Sequence, residues 1–90
     1  MAKICKIFKI SGRVQGVWFR SAARKEALNL NITGWAKNID NGDVEILACG
    51  EEVQLMQFEK WLWRGPILAR VKNIVSEEKK VDLCQDFNIL

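Results

Sequence analysis

The chain has 90 residues, 14 Lys+Arg against 11 Asp+Glu, a net charge of +3, and neither His nor Tyr. At 49% apolar and 28% charged residues it has the make-up of one soluble globular domain, which excludes a disordered tail, a collagenous chain and a membrane-spanning protein. The missing histidine removes Ser-His-Asp and Cys-His nucleophiles, histidine general bases and histidine-ligated zinc, and a charge of +3 is too small to diagnose nucleic-acid binding.

No repeat, low-complexity stretch or linker divides the chain, so residues 1–90 form a single domain. Ile4 to Ile10 is a short β-rich run, a first strand. Ser11 to Gly16, with two glycines, is a loop. From Ser21 to Leu30, Ala22, Ala23, Glu26, Ala27 and Leu30 recur at helical spacing and give a core-facing amphipathic helix. A second strand spans Thr33 to Asn38. Asp40-Asn41-Gly42 is a turn, because Asn-Gly tolerates positive φ in tight hairpins. A third strand, Asp43 to Cys49, puts Val44, Ile46 and Ala48 on one face. Glu51 and Glu52 suit the positive end of a second helix. Val53, Leu55, Met56, Phe58, Trp61, Leu62 and Trp63 give that helix a wide apolar face, and Gly65-Pro66 ends it. Ala69 to Val75 is a fourth strand, Glu77 to Lys80 a solvated loop, and Asp86 to Leu90 an extended tail that can lie against the sheet edge.

The order β-α-β-β-α-β predicts a ferredoxin-like α/β (α+β) sandwich: a four-stranded antiparallel sheet with both helices on one face. Right-handed crossovers then place the third strand beside the first, and the fourth on the first strand's other side. Phe19, Trp35, Phe58, Trp61 and Phe87 are expected in the core or covering the sheet, and Trp63 partly exposed near the helix end.

Gly12 to Arg20 reads GRVQGVWFR. It joins a strand to a helix. Its glycines let backbone amides converge, and the helix N-terminus adds partial positive charge, so together they can cradle a tetrahedral oxyanion. Arg20 stands at the helix start, where a cation opposes the macrodipole. An anionic ligand would explain it, since the guanidinium fork takes two phosphate oxygens. Glycine spacing alone leaves a plainer reading open, in which the glycines shape a turn and Arg20 is a solvated charge.

GRVQGVWFR resembles the signature loop of the acylphosphatases, G-x-V-Q-G-V-x-F-R. GWAKNIDNGDVEI, Gly34 to Ile46, resembles their second signature, and GPILARV, Gly65 to Val71, a third recurrent block. The blocks follow the family's order across nearly the whole chain. The resemblance implies hydrolysis of acyl phosphates to a carboxylate and inorganic phosphate, without cofactor or metal. It implies that Arg20 binds the phosphoryl group, that Asn38 orients the attacking water, and that backbone amides of Gln15, Gly16, Val17, Trp18, Phe19 and Arg20 hold the phosphoryl oxygens. Two positions depart from many bacterial relatives: Trp18 where glycine is frequent, and Ala23 where threonine is. Both bear on substrate preference and rate. Trp18 either flanks the entrance and contacts the acyl group or anchors the loop as a half-buried ring.

The expected partners are a small-molecule acyl phosphate and phosphate or sulfate anions. No nucleic acid and no membrane are expected, and the protein is expected to be a cytoplasmic monomer. MAKICKIFKI shows no export signal, and Cys5, Cys49 and Cys84 form no CxxC pair. Cys5 and Cys49 fall opposite each other in the sandwich, within disulfide reach, but the cytoplasmic reading favours free thiols. Two other functions remain open on sequence: an RNA-recognition module, which shares this sheet, and a silent ligand-binding or regulatory domain.

Overall fold

A computed structural model describes residues 3–82 and 84–90; Met1 and Ala2, part of the N-terminal segment read above, and Leu83 lie outside it. The elements are β1 (Ile4–Arg13), α1 (Phe19–Asn29), β2 (Thr33–Asn38), β3 (Val44–Gly50), α2 (Glu52–Arg64), β4 (Arg70–Lys79) and β5 (Phe87–Ile89). They form one sheet of order β4-β1-β3-β2-β5 with both helices on one face. The first four strands stand as the crossover rule requires. The sheet has five strands rather than four, because the extended tail becomes β5, paired parallel to β2. The tail is fixed by Gly34 N–H donating to Asp86 O at 2.9 Å, Leu90 N–H to Ala36 O at 2.8 Å, and Arg24 Nε to Phe87 O at 2.9 Å.

Alternation decides which face of each strand is covered. Phe8 and Ile10 of β1, Ala36 of β2, Val44, Ile46 and Ala48 of β3, and Phe87 of β5 are buried beneath the helices. α2 contributes Leu55, Phe58 and Leu62, and Phe58 meets Phe8 edge-on at 6.2 Å and Phe87 at 6.3 Å. Burying one such ring is worth about 2–3 kcal/mol. The buried face of α2 is narrower than its sequence implies, since Val53 and Met56 remain exposed, while Trp63 is exposed near the helix end as expected. α1 meets the sheet through Ala23 and Ala27, both fully buried. Their small side chains let the helix lie close, which brings its N-terminus against the end of β2.

The other sheet face is mixed. Lys37 pairs with Glu45 at 3.5 Å and lies 5.0 Å from the Trp35 ring. On this face Cys5 and Cys49 are direct cross-strand partners, their Cα atoms 4.0 Å apart, and they form a disulfide. Free thiols at these positions, the expectation from compartment, are thereby corrected: antiparallel pairing brings the two sulfurs together whatever the sequence separation. Cys84 remains a thiol, packed against this cluster. The crosslink closes a span of 44 residues, so its reduction should lower stability by about 2–4 kcal/mol. Denaturant unfolding with and without reductant measures this. Thiol titration of unfolded, unreduced protein should count one thiol, and a count of three would refute the crosslink.

β4 runs to Lys79, through the charged run expected to be a loop. Pairing with β1 continues past Val75 because Glu77 and Glu78 lie opposite Ile7 and Lys6. Glu77 and Lys79, two apart on one strand face, form an ion pair at 3.0 Å. The Lys79 side chain, by hydrogen bond and charge, holds the Glu77 carboxyl below its ordinary value. At the other end of β1 the register with β4 shifts between Ser11 and Gly12, a bulge. Gly12 has φ +120°, and a Cβ there would run into the Arg70 carbonyl. Glycine thus lets the strand kink where it feeds the loop before α1.

Candidate active site

Residues 14–18 connect β1 to α1. The connection is pinned to the core at three points, because Val14, Val17 and Phe19 are all buried. Between these anchors the backbone turns left-handed at Gly16 (φ +75°) and at Trp18 (φ +66°). Glycine takes that conformation freely, whereas for an L-residue such as Trp18 it costs about 1 kcal/mol. The indole gains no burial in return: it is 77% exposed. The half-buried anchor is therefore not what the structure contains, and the ring stands at the mouth of the cleft described below.

The first-turn N–H groups of α1 have no partner inside the helix. No side chain caps them, and no acidic residue lies in that turn. α2 differs on both counts. Glu51 and Gln54 form a capping-box arrangement in which Gln54 Oε1 accepts from the Glu51 N–H at 3.4 Å, and Glu52 lies in the first turn. One chain therefore caps and charges one helix favourably and leaves the other open, with Arg20 in its first turn. Without an anion that arrangement is unfavourable by a few tenths of a kcal/mol.

A cleft of about 220 Å³ opens at this end of α1. Gly16, Trp18, Phe19 and Arg20 line it from the loop and helix, Asn38 from the end of β2, and Ile89 from β5. Arg20 is half-buried, and its Nη1 donates to the main-chain oxygen of Leu90 at 2.8 Å. The β5 tail thus steadies the guanidinium from one side and leaves its other N–H donors. Asn38 is exposed, paired across the sheet with Val44. The structure brings Arg20 and Asn38 to one cleft from positions 18 residues apart in sequence.

The six loop residues are expected to act through their backbone amides, and two of them direct their side chains away from the cleft. Val17 packs in the core, and Gln15 turns its side chain toward the β2–β3 hairpin. Ala23 does not line the cleft; it is buried against the sheet, so its departure from threonine bears on packing. Val14, Ser21 and Ile89 line the cleft and were not singled out from the sequence. Ser21 follows Arg20 in the first helical turn, a signal that was available. Ile89 had none, because its place depends on β5 docking against β2. A larger, more open hollow lies along Lys3–Cys5 and Glu78–Asp82. It is lined by charges of both signs and contains none of the predicted residues.

Fold and cleft together define a ferredoxin-like sandwich with an open helix N-terminus, a guanidinium and a carboxamide converging at one end of the sheet. The family model described as acylphosphatase matches residues 6–89. An acylphosphatase of Vibrio vulnificus is 48% identical over 90 residues, all of both chains. The solved structure of a Coxiella burnetii acylphosphatase superposes with a TM-score of 0.94 at 45% identity, covering 98% of this chain and 93% of that one. The Bacillus subtilis acylphosphatase gives 0.94 at 35% identity, covering 97% and 98%. The chain belongs to the acylphosphatase family, and its class is that of an enzyme. Among the described residues no helix is long and apolar enough to cross a membrane.

Proposed function

We propose that this protein hydrolyses acyl phosphates, with Arg20 and the backbone amides of residues 15–20 binding the phosphoryl group and Asn38 directing the attacking water. The observation that carries the reading is the uncapped N-terminus of α1, which opens with Arg20 into the cleft that also contains Asn38. No side chain caps the first-turn N–H groups of α1, Arg20 has N–H donors beyond the one given to Leu90, and a phosphoryl group carries the oxygens that fit them.

Phosphoryl transfer proceeds through a loose transition state, so the protein mainly positions groups and stabilises charge. Arg20 and the amides take the non-bridging oxygens. Water attacks phosphorus as the P–O bond to the acyl group breaks, and the electron pair leaves on a carboxylate. That leaving group is a weak base and needs no strong general acid, which suits a chain without histidine. Asn38 accepts no proton at working pH; its carboxamide aligns the water. The water's proton passes to a phosphoryl oxygen, giving inorganic phosphate. No step requires a metal. Trp18 and Ile89, on the rim, offer apolar contact to the acyl group.

An RNA-recognition module would need bare aromatic rings on its central strands. On the open face β1 and β3 present Ile7 and Leu47, and the Trp35 ring already has Lys37 beside it. The test is hydrolysis of an aryl acyl phosphate in excess chelator, with and without added phosphate. Turnover that survives chelation and falls competitively with phosphate is expected. Loss of activity in chelator, restored by a divalent cation, would overturn the metal-free mechanism.

A further inference from the structure

The side chain of Gln15 makes two hydrogen bonds far from its own segment. Its Nε2 donates to Ile39 O at 2.8 Å and to Asp43 O at 2.9 Å. These carbonyls belong to the two sides of the β2–β3 turn, where Ile39 N–H donates to Asp43 O and Gly42 N–H to Ile39 O. Both carboxamide hydrogens are therefore used to tie the turn to the phosphate loop. Ile39 directly follows Asn38 in the chain.

The two sides of this tie are not equally anchored. The loop has Val14, Val17 and Phe19 buried in the core. Asn38 and the turn residues Asp40, Asn41 and Gly42 are exposed. Beyond the turn's internal bonds, Gln15 links this exposed end to the segment that leads to Arg20. We infer that Gln15 is a positioning residue for the reaction: its carboxamide sets the place of Asn38 relative to the loop and so aims the water, while the anion seat stands without it. The inference rests on the water-directing role proposed for Asn38. A methionine of similar length donates nothing, and an asparagine falls one methylene short.

The test compares Gln15→Met, Gln15→Asn, Asn38→Ala and the double variant Gln15→Met/Asn38→Ala. Each is checked for folding, for kcat and KM on an aryl acyl phosphate, and for inhibition by phosphate. Gln15→Met and Gln15→Asn should lose ~10-fold or more in kcat, as small misplacements of reacting groups do. Their KM and phosphate inhibition should stay within about twofold of the parent, and Gln15→Met should cost less than about twofold when Asn38 is already alanine. Parent-like kcat in either folded single variant overturns the inference. So does a kcat loss that is undiminished in the Asn38→Ala background, or one matched by weaker phosphate inhibition, which would make the Gln15 side chain a support of the anion seat. Full activity of Asn38→Ala alone would instead remove the underlying role of Asn38, and this inference with it. Should Gln15→Met fail to fold, Gln15→Asn, which keeps the polarity, carries the same reading, with its own double variant.

Discussion

Arg20→Ala should lose nearly all acyl phosphate turnover, about 10³-fold or more in kcat/KM, as when an arginine that stabilises a transferring phosphoryl group is removed. Competitive inhibition by phosphate should disappear with it, because in the proposed mechanism the same guanidinium serves substrate and product. Arg20→Lys should recover little, since an ammonium cannot reproduce the planar fork. The loss would not come from unfolding. Arg20 is only half-buried, and its side-chain hydrogen bond to Leu90 is worth about 1 kcal/mol. The variant should also shed the unfavourable placement of a cation at a helix N-terminus. Urea unfolding alongside the kinetics separates the two effects, and unchanged phosphate inhibition in a folded Arg20→Ala protein would end the phosphoryl-binding assignment.

Asn38→Ala carries the second large effect, with a different signature. Its kcat should fall by ~10²-fold, the loss typical of one preorganised polar group. KM and phosphate inhibition should change by less than about twofold, because the loop and Arg20 are untouched. Stability should hardly move, since Asn38 is exposed at a strand end. Steady-state kinetics with a phosphate titration reads both quantities. A parallel loss of substrate affinity would recast Asn38 as a binding group.

The contrast between these variants has a structural basis. Arg20 belongs to α1 and the loop, which the buried Val14, Val17 and Phe19 hold to the core. Asn38 belongs to the hairpin end, which reaches the cleft by strand pairing and by the Gln15 hydrogen bonds. The binding and water-aligning roles proposed for Arg20 and Asn38 thus fall on separate pieces of the fold, which would let one be impaired without the other.

Much of this was legible in the residues. β2 spans Thr33–Asn38 as the pattern requires, and α2 ends at Arg64, immediately before Gly65-Pro66. The strand order followed from crossover handedness, and glycine placement with a cation at a helix start marked the loop, but the roles expected of Arg20 and Asn38 came from the resemblance of their motifs to those of the acylphosphatases. These signals are local: a period, a turn residue, a cap. The charged Glu77–Lys79 segment misled for the same reason. Composition reports solvation, whereas β4 is extended there by hydrogen bonds to β1, which composition does not encode.

The amino-acid order by itself determined the sandwich and the family, and through the family's motifs it pointed to Arg20 and Asn38, because periodicity and motif spacing are properties of neighbouring residues. Only the tertiary structure decided that Cys5 and Cys49 are joined, that Trp18 stands exposed at the mouth, that Leu90 steadies Arg20, and that Gln15 reaches Ile39 and Asp43. Each of these joins or locates groups through segments distant in the chain. Their distances are fixed by strand register and helix docking rather than by any pattern of adjacent residues.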